Sequence, residues 1–151
     1  MPQGVLTKTD YQDLMQNPGV YLTDTSINKY LVEKDPNGLP RVRSGGLALT
    51  YKLSGNGKKI ALRCFHKVSP RREQHYSAIS RFLTLNPSPI LIRTSYQPQG
   101  IRYQGGLYPI TLMEWIDGEI LGTYVFNQYH DPTAMSKLLG NFQQLVNELH
   151  R

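Results

Sequence analysis

The chain has 151 residues, 39% of them hydrophobic and 19% charged, with a net charge of +6. That is enough apolar material for one ordinary globular domain with a sizeable core, and too much for a disordered segment. Cys64 is the only cysteine, which excludes an internal disulfide; no apolar run approaches the ~18 residues a membrane span needs, and Met1-Pro2-Gln3-Gly4-Val5-Leu6-Thr7-Lys8 lacks the apolar core of a signal peptide, so a reducing cytoplasm is the expected compartment.

The first expected element is a short helix. Thr9-Asp10-Tyr11-Gln12 has the form of a capping box, Tyr11, Leu14 and Met15 share one face, and Asn17-Pro18-Gly19 ends it. Val20 to Val32 reads as one or two extended pieces around Asp24-Thr25, and Asp35-Pro36-Asn37-Gly38 as a turn. Leu47 to Leu53 alternates with period two, as a strand with one apolar face does. Ser54-Gly55-Asn56-Gly57 turns the chain, and Lys59 to Phe65 returns as the second strand of a hairpin.

Ser69-Pro70 is expected to cap a helix running to Leu83, with Tyr76, Ile79, Phe82 and Leu83 toward the core and Asn86-Pro87-Ser88-Pro89 as its stop. Ile90 to Tyr96 and Leu107 to Trp115 read as two more strands of a meander, with turn signals at Pro98-Gln99-Gly100 and Gln104-Gly105-Gly106. Asp117-Gly118 breaks the sheet. Asp131-Pro132 then caps a last helix whose stripe of Met135, Leu138, Leu139, Phe142, Leu145, Val146 and Leu149 keeps helical spacing for four turns. The fold class this order predicts is α+β: an antiparallel sheet of about five strands with one packed helix, a short helix before it and a helix after it.

The residues with chemical potential are few. His66, His75, His130 and His150 lack the spacing of metal ligands, Cys64 sits inside a strand as a small apolar residue does, and no Ser lies in a nucleophile-elbow pattern. The basic residues Arg41, Arg43, Lys58, Lys59, Lys67, Arg71 and Arg72 are spread over several elements. That distribution reads as a solvated positive face sooner than as a nucleic-acid site.

One constellation is more specific. Gly46 lies 17 residues before Arg63, Ala48 follows Gly46 by two, and Ala61-Leu62-Arg63 precedes Leu112-Met113-Glu114-Trp115-Ile116-Asp117-Gly118 in the order of an ATP-binding kinase lobe. Together with Ser44-Gly45-Gly46, Gly100-Ile101 and Tyr108-Pro109-Ile110, these stretches make the chain resemble, from about Asp10 to Arg151, the N-terminal lobe of a bacterial protein-kinase-like domain of the lipopolysaccharide-kinase or eukaryotic type. The resemblance implies three regions: an N-terminal extension over 1–38, a kinase-like N-lobe with hinge over 39–116, and a linker with the first helix of an incomplete C-lobe over 117–151. It also implies an ATP site. Gly45 and Gly46 would approach the phosphates, Ala48 and Ala61 would sandwich the adenine, and Arg63 would pair the phosphates where kinases carry Lys. Met113 would stand as gatekeeper, the Glu114 carbonyl and Ile116 N–H would read the adenine edge, and Asp117 or Glu119 would face the ribose.

The chain departs from the family pattern in three places. The first two glycines of the phosphate loop fall on Arg41 and Arg43, Arg replaces Lys at 63, and the helix position that should carry the ion-pairing Glu, near Ile79, is apolar, leaving Glu73 in the first turn as that helix's only acid. The chain reaches Leu149-His150-Arg151 where a kinase would enter its catalytic loop, so the loop Asp and Asn and the metal-binding Asp-Phe-Gly are expected beyond Arg151, and Mg²⁺ only in a longer relative. The resemblance therefore implies a nucleotide-binding lobe of a phosphotransferase with no catalytic residues of its own. The alternatives are a pseudokinase-type interaction module, meeting a C-lobe or protein partner through the 135–149 stripe, and a basic binder of anionic surfaces or nucleic acid.

Overall fold

The computed structural model describes residues 4–151; residues 1–3, which open the stretch read above as lacking a leader, lie outside it. The chain divides into two compact units, one ending at Trp115 and one spanning Ile116–Arg151.

The first unit opens with α1 (Lys8–Leu14) and the four-residue α2 (Pro18–Tyr21). The cap of α1 is Thr7, not Thr9. The Thr7 hydroxyl accepts from the Asp10 N–H at 3.1 Å while the Asp10 carboxylate accepts from the Thr7 N–H at 2.8 Å, a reciprocal box set two residues earlier than expected. Asp10 fits the third helical position because its carboxylate also meets the positive end of the helix dipole. Pro18 does not simply end the helix: at the first position of α2 its fixed φ starts a new turn. The segment expected to be extended is therefore mostly turns. It meets the sheet through β1 (Leu31–Val32), through the bridge Leu22–Ile101, and through Thr23, which donates to the Gly100 and Gln99 carbonyls, and Asp24, which accepts from Gln97.

The sheet contains β2 (Val42–Ser44), β3 (Ala48–Gly55), β4 (Lys58–Phe65), β5 (Thr94–Tyr103) and β6 (Gly106–Glu114), with α3 (Arg72–Leu85) between β4 and β5. All pairs are antiparallel and the order is β1-β3-β4-β6-β5, with β2 also on β3. The sheet has six strands because β1 and β2 share the outer edge of β3, joined by the 35–38 turn, where Asp35 accepts from Asn37 N–H at 2.8 Å and Leu39 N–H at 3.0 Å. Asn56 and Gly57 make the β3–β4 hairpin with φ of 51° and 71°, the left-handed pair that a two-residue turn needs.

Five other expectations change. The expected meander fails in its order: β6, not β5, lies against β4. Ile90 to Arg93 is not strand, and the Pro98-Gln99-Gly100 turn signal is a bulge inside β5, where the register shifts between Gln97 and Ile101. The cap of α3 is Arg71 at φ 63° with no side-chain bond, so Ser69 does not cap and the helix starts at Arg72. Of its expected core face only Leu83 is buried; Ile79 and Phe82 are about half exposed and line a 490 Å³ apolar cavity with Ala78, Leu83, Leu91 and Ile92.

The core fills one face of the sheet. Leu49, Tyr51, Leu53, Leu62, Cys64, Ile101 and Ile110 pack with Tyr11, Leu14, Met15 and Leu22, so residues of the expected N-terminal extension are part of the sheet's own core. Tyr11 Oη donates to the Phe65 carbonyl at 3.0 Å, tying α1 to β4. Burial pushes the Cys64 thiol well up, which fits a small apolar core residue. On the opposite face α3 packs through Tyr76, whose ring meets Phe65 edge-on at 5.2 Å and stacks on Tyr96 at 5.7 Å. Helices thus cover both faces, where a single packed helix was expected.

The second unit holds α4 (Leu121–Gln128) and α5 (Pro132–Leu149). Asp131 caps α5 as expected, accepting from Thr133 N–H at 2.9 Å and Ala134 N–H at 3.2 Å. The sequence reading missed α4, whose Leu121, Tyr124, Val125 and Gln128 have helical spacing but no capping side chain. No residue of either helix is buried. None of the described helices is long and apolar enough to cross a membrane.

Candidate functional site

Antiparallel register places directly opposed residues side by side on one face, and alternate residues along a strand share that face. Two rows follow on the α3 face. Arg43, Thr50, Arg63, Thr111 and Tyr96 form one, running across β2, β3, β4, β6 and β5. Lys52, Ala61, Met113 and Thr94 form the next. Ala48 lies one step further along β3, opposite Phe65. The sheet therefore brings Ala48, Ala61, Arg63 and Met113 to one face, although up to 65 residues separate them in sequence.

Arg63 is half-buried and its Nε has no hydrogen-bond partner; Thr111, opposite it, is 0% exposed and its Oγ1 has none either. No carboxylate among the described residues pairs with Arg63, and the α3 residue expected at the partner position, Ile79, is half exposed. Ala48 and Ala61 are buried, at 2% and 7% exposure. Of the expected nucleotide contacts only Glu119 lines any of the four cavities described, of 330 to 540 Å³. The one of 540 Å³ lies at the start of α3, between Arg71, Arg72, Tyr11, Tyr96 and Tyr108.

The Gly45-Gly46 turn is tied down. Gly45 N–H donates to the Ala48 carbonyl at 2.8 Å, and the His66 ring meets the Gly45 carbonyl at 3.2 Å. Neither glycine has a positive φ, so the turn does not need glycine for its backbone conformation. Gly46 has nothing within 4 Å of where a Cβ would stand, which leaves its backbone open to approach.

At the other end of the face, Trp115 follows Met113 by two, and its N–H donates to the Lys59 carbonyl at 3.2 Å. The Arg43 guanidinium lies 4.5 Å and the Lys52 ammonium 4.9 Å from the Trp115 ring centroid. Glu33 pairs with both cations and with Arg41, accepting from Arg43 at 2.9 Å, and the Arg43 bond above all holds its carboxyl below the usual carboxylate range. Glu114 closes β6, while Ile116 and Asp117 belong to the second unit and are exposed.

Sequence reasoning missed Thr111, Thr50, Lys52, Glu33 and Trp115 as residues of this face. The alternation Thr111-Met113-Trp115 and Ala61-Arg63 was visible; the β4–β6 pairing that aligns them was not. No group of three or more His, Cys, Asp or Glu among the described residues is placed to hold a metal ion. No family model, no curated protein and no solved structure matches the chain.

Proposed function

We propose that this chain is the nucleotide-binding lobe of a kinase-like phosphotransferase, supplying one wall of an ATP site. The observation that carries the reading is the register of β3, β4 and β6, which brings small Ala48 and Ala61, cationic Arg63 and Met113 to one sheet face. Ala61 and Met113 would bound the base, and Arg63, a permanent cation with a fork of donors, would hold the phosphates. The Glu114 backbone would meet the adenine edge, with Gly45 and Gly46 near the phosphates. One wall leaves much of a ligand wet, so affinity is poor.

Titration of the ¹⁵N-labelled chain with ATP tests this. Shifts clustered on β3, β4 and the end of β6, and lost in Arg63→Ala, support it. Shifts confined to exposed Lys and Arg and abolished by modest salt overturn it in favour of the charge-driven binder.

A second reading, the protein interaction module, is favoured by one observation: no residue of α4 or α5 is buried, although α5 carries a four-turn apolar stripe.

A further inference from the structure

The largest of the four cavities described holds 540 Å³ and is lined by none of the residues read as nucleotide contacts. Small-molecule sites span about 300–1,000 Å³, so the space admits a ligand. Its walls are largely apolar: half-buried Tyr96 of β5, half-buried Tyr108 and Pro109 of β6, and exposed Val68. Rings left partly open in this way offer flat surface to another ring. The charged residues of the lining are Arg71, Arg72 and Glu73, two cations against one carboxylate, which leaves +1. Arg71 and Glu73 are exposed; Arg72 is half-buried. The Arg72 guanidinium lies 4.3 Å from the Phe65 ring centroid and donates to the Lys67 carbonyl. A guanidinium has five donors and no acceptor, and no carboxylate among the described residues pairs with this one. Burial takes solvent from its charge and holds it below the usual arginine range. An anion in the cavity would return what burial removes.

We infer that this cavity binds a small aromatic monocarboxylate, its ring against Tyr96 and Tyr108 and its carboxylate on the Arg72 guanidinium. A guanidinium fork matches a carboxylate with two parallel bonds. The single excess charge of the lining balances one carboxylate. A nucleoside monophosphate, at about −1.5 to −2 near pH 7, brings more charge than the lining neutralises. Tyr96 is held in place by its stack on Tyr76 at 5.7 Å and its edge contact with Phe65 at 6.5 Å, so the wall is formed before a ligand arrives. The site is separate from the Ala61, Arg63 and Met113 face and stands or falls without the nucleotide reading.

The test titrates the ¹⁵N-labelled chain with 2-naphthylacetate, its neutral amide 2-naphthylacetamide, acetate and AMP. The naphthylacetate is expected to bind with a Kd on the order of 1 mM, as ligand efficiency sets for a molecule of that size, with shifts centred on residues 68–74 and Tyr108. The amide is expected to bind about tenfold more weakly, as loss of a charged hydrogen-bond partner predicts, and acetate and AMP more weakly still. Arg72→Gln is expected to weaken the acid about tenfold and leave the amide within twofold. Val68→Glu, at an exposed wall position where folding is not at stake, puts a second carboxylate beside the cavity and is expected to weaken the acid and spare the amide; amide spectra check that both variants fold. Equal binding of acid and amide overturns the inference, as does an acid affinity unchanged in Val68→Glu. Acetate or AMP binding there as tightly as the naphthylacetate overturns the ring or the charge match, and with it the proposed ligand class. No shifts around the cavity with any of the four overturns the site, and leaves the ATP titration of β3, β4 and β6 to be judged by itself.

Discussion

The guanidinium of Arg43, on β2, stacks 4.5 Å from the ring centroid of Trp115, which directly follows β6. Trp115 is the only tryptophan, so its fluorescence reads this contact. Arg43→Ala should remove a cation–π contact worth about 0.5–1 kcal/mol, redshift the emission as the ring meets water, and destabilise the chain. An unchanged emission maximum would show that the stack is not kept in solution.

Acid should weaken the first unit through Glu33, Asp24 and Asp10. The Arg43 bond lowers the Glu33 carboxyl, the Ser26 hydroxyl chiefly lowers Asp24, and the Thr7 side chain chiefly lowers Asp10. A carboxyl depressed in the folded state binds protons less readily there than in the unfolded chain. Its contribution is therefore fully present above the ordinary carboxylate range of about 4 and is lost as pH falls through the depressed folded values. Urea midpoints should drop from pH 5 to pH 2, and Glu33→Gln should flatten that slope. An equal slope in Glu33→Gln would remove Glu33 from the account.

Gly100→Ala should be among the most damaging single-atom changes. A Cβ there would collide with the side chain of Ile110, which is fully buried and cannot retreat. Overpacking of this kind costs typically 1–3 kcal/mol. Adding Ile110→Val should recover part of the loss, a coupling readable in a double-mutant cycle; strict additivity would show that the strain lies elsewhere.

The first helix should behave as core. Leu14→Ala should cost about 2–5 kcal/mol, because Leu14 is fully buried among sheet residues. Thr7→Ala should cost about 1 kcal/mol by opening the capping box. Deleting residues 1–15 should leave the sheet unfolded; a cooperatively folded deletion would make this segment the extension it was first read as.

The α4–α5 unit should be the least stable part of the chain. With no buried residue of its own it has little to resist opening. Amide exchange there should outpace exchange in β3 and β4 by orders of magnitude, and oligomer mass should rise with concentration. Phe142→Asp should suppress that rise; a strict monomer with slow exchange in α5 would refute this.

Local signals were legible in the sequence. The Asn56-Gly57 hairpin, the Asp35 turn and the Asp131 cap stand where residue chemistry puts them, because each rests on bonds within four residues. The alternation of Leu47 to Leu53 and the buried role of Cys64 were equally readable. The cap of α1 was misplaced because two threonines, Thr7 and Thr9, compete for one role, and the reciprocal bond to Asp10 decides between them.

For this protein the sequence by itself determined which segments turn and which alternate. Only the tertiary structure decided that β6 rather than β5 lies against β4, and hence that Thr111 faces Arg63. It also decided that α1 closes the core and that Ile79 and Phe82 stay half exposed. The physical reason is that strand order and helix placement follow from which apolar faces bury one another at long range, and no local pattern encodes a partner.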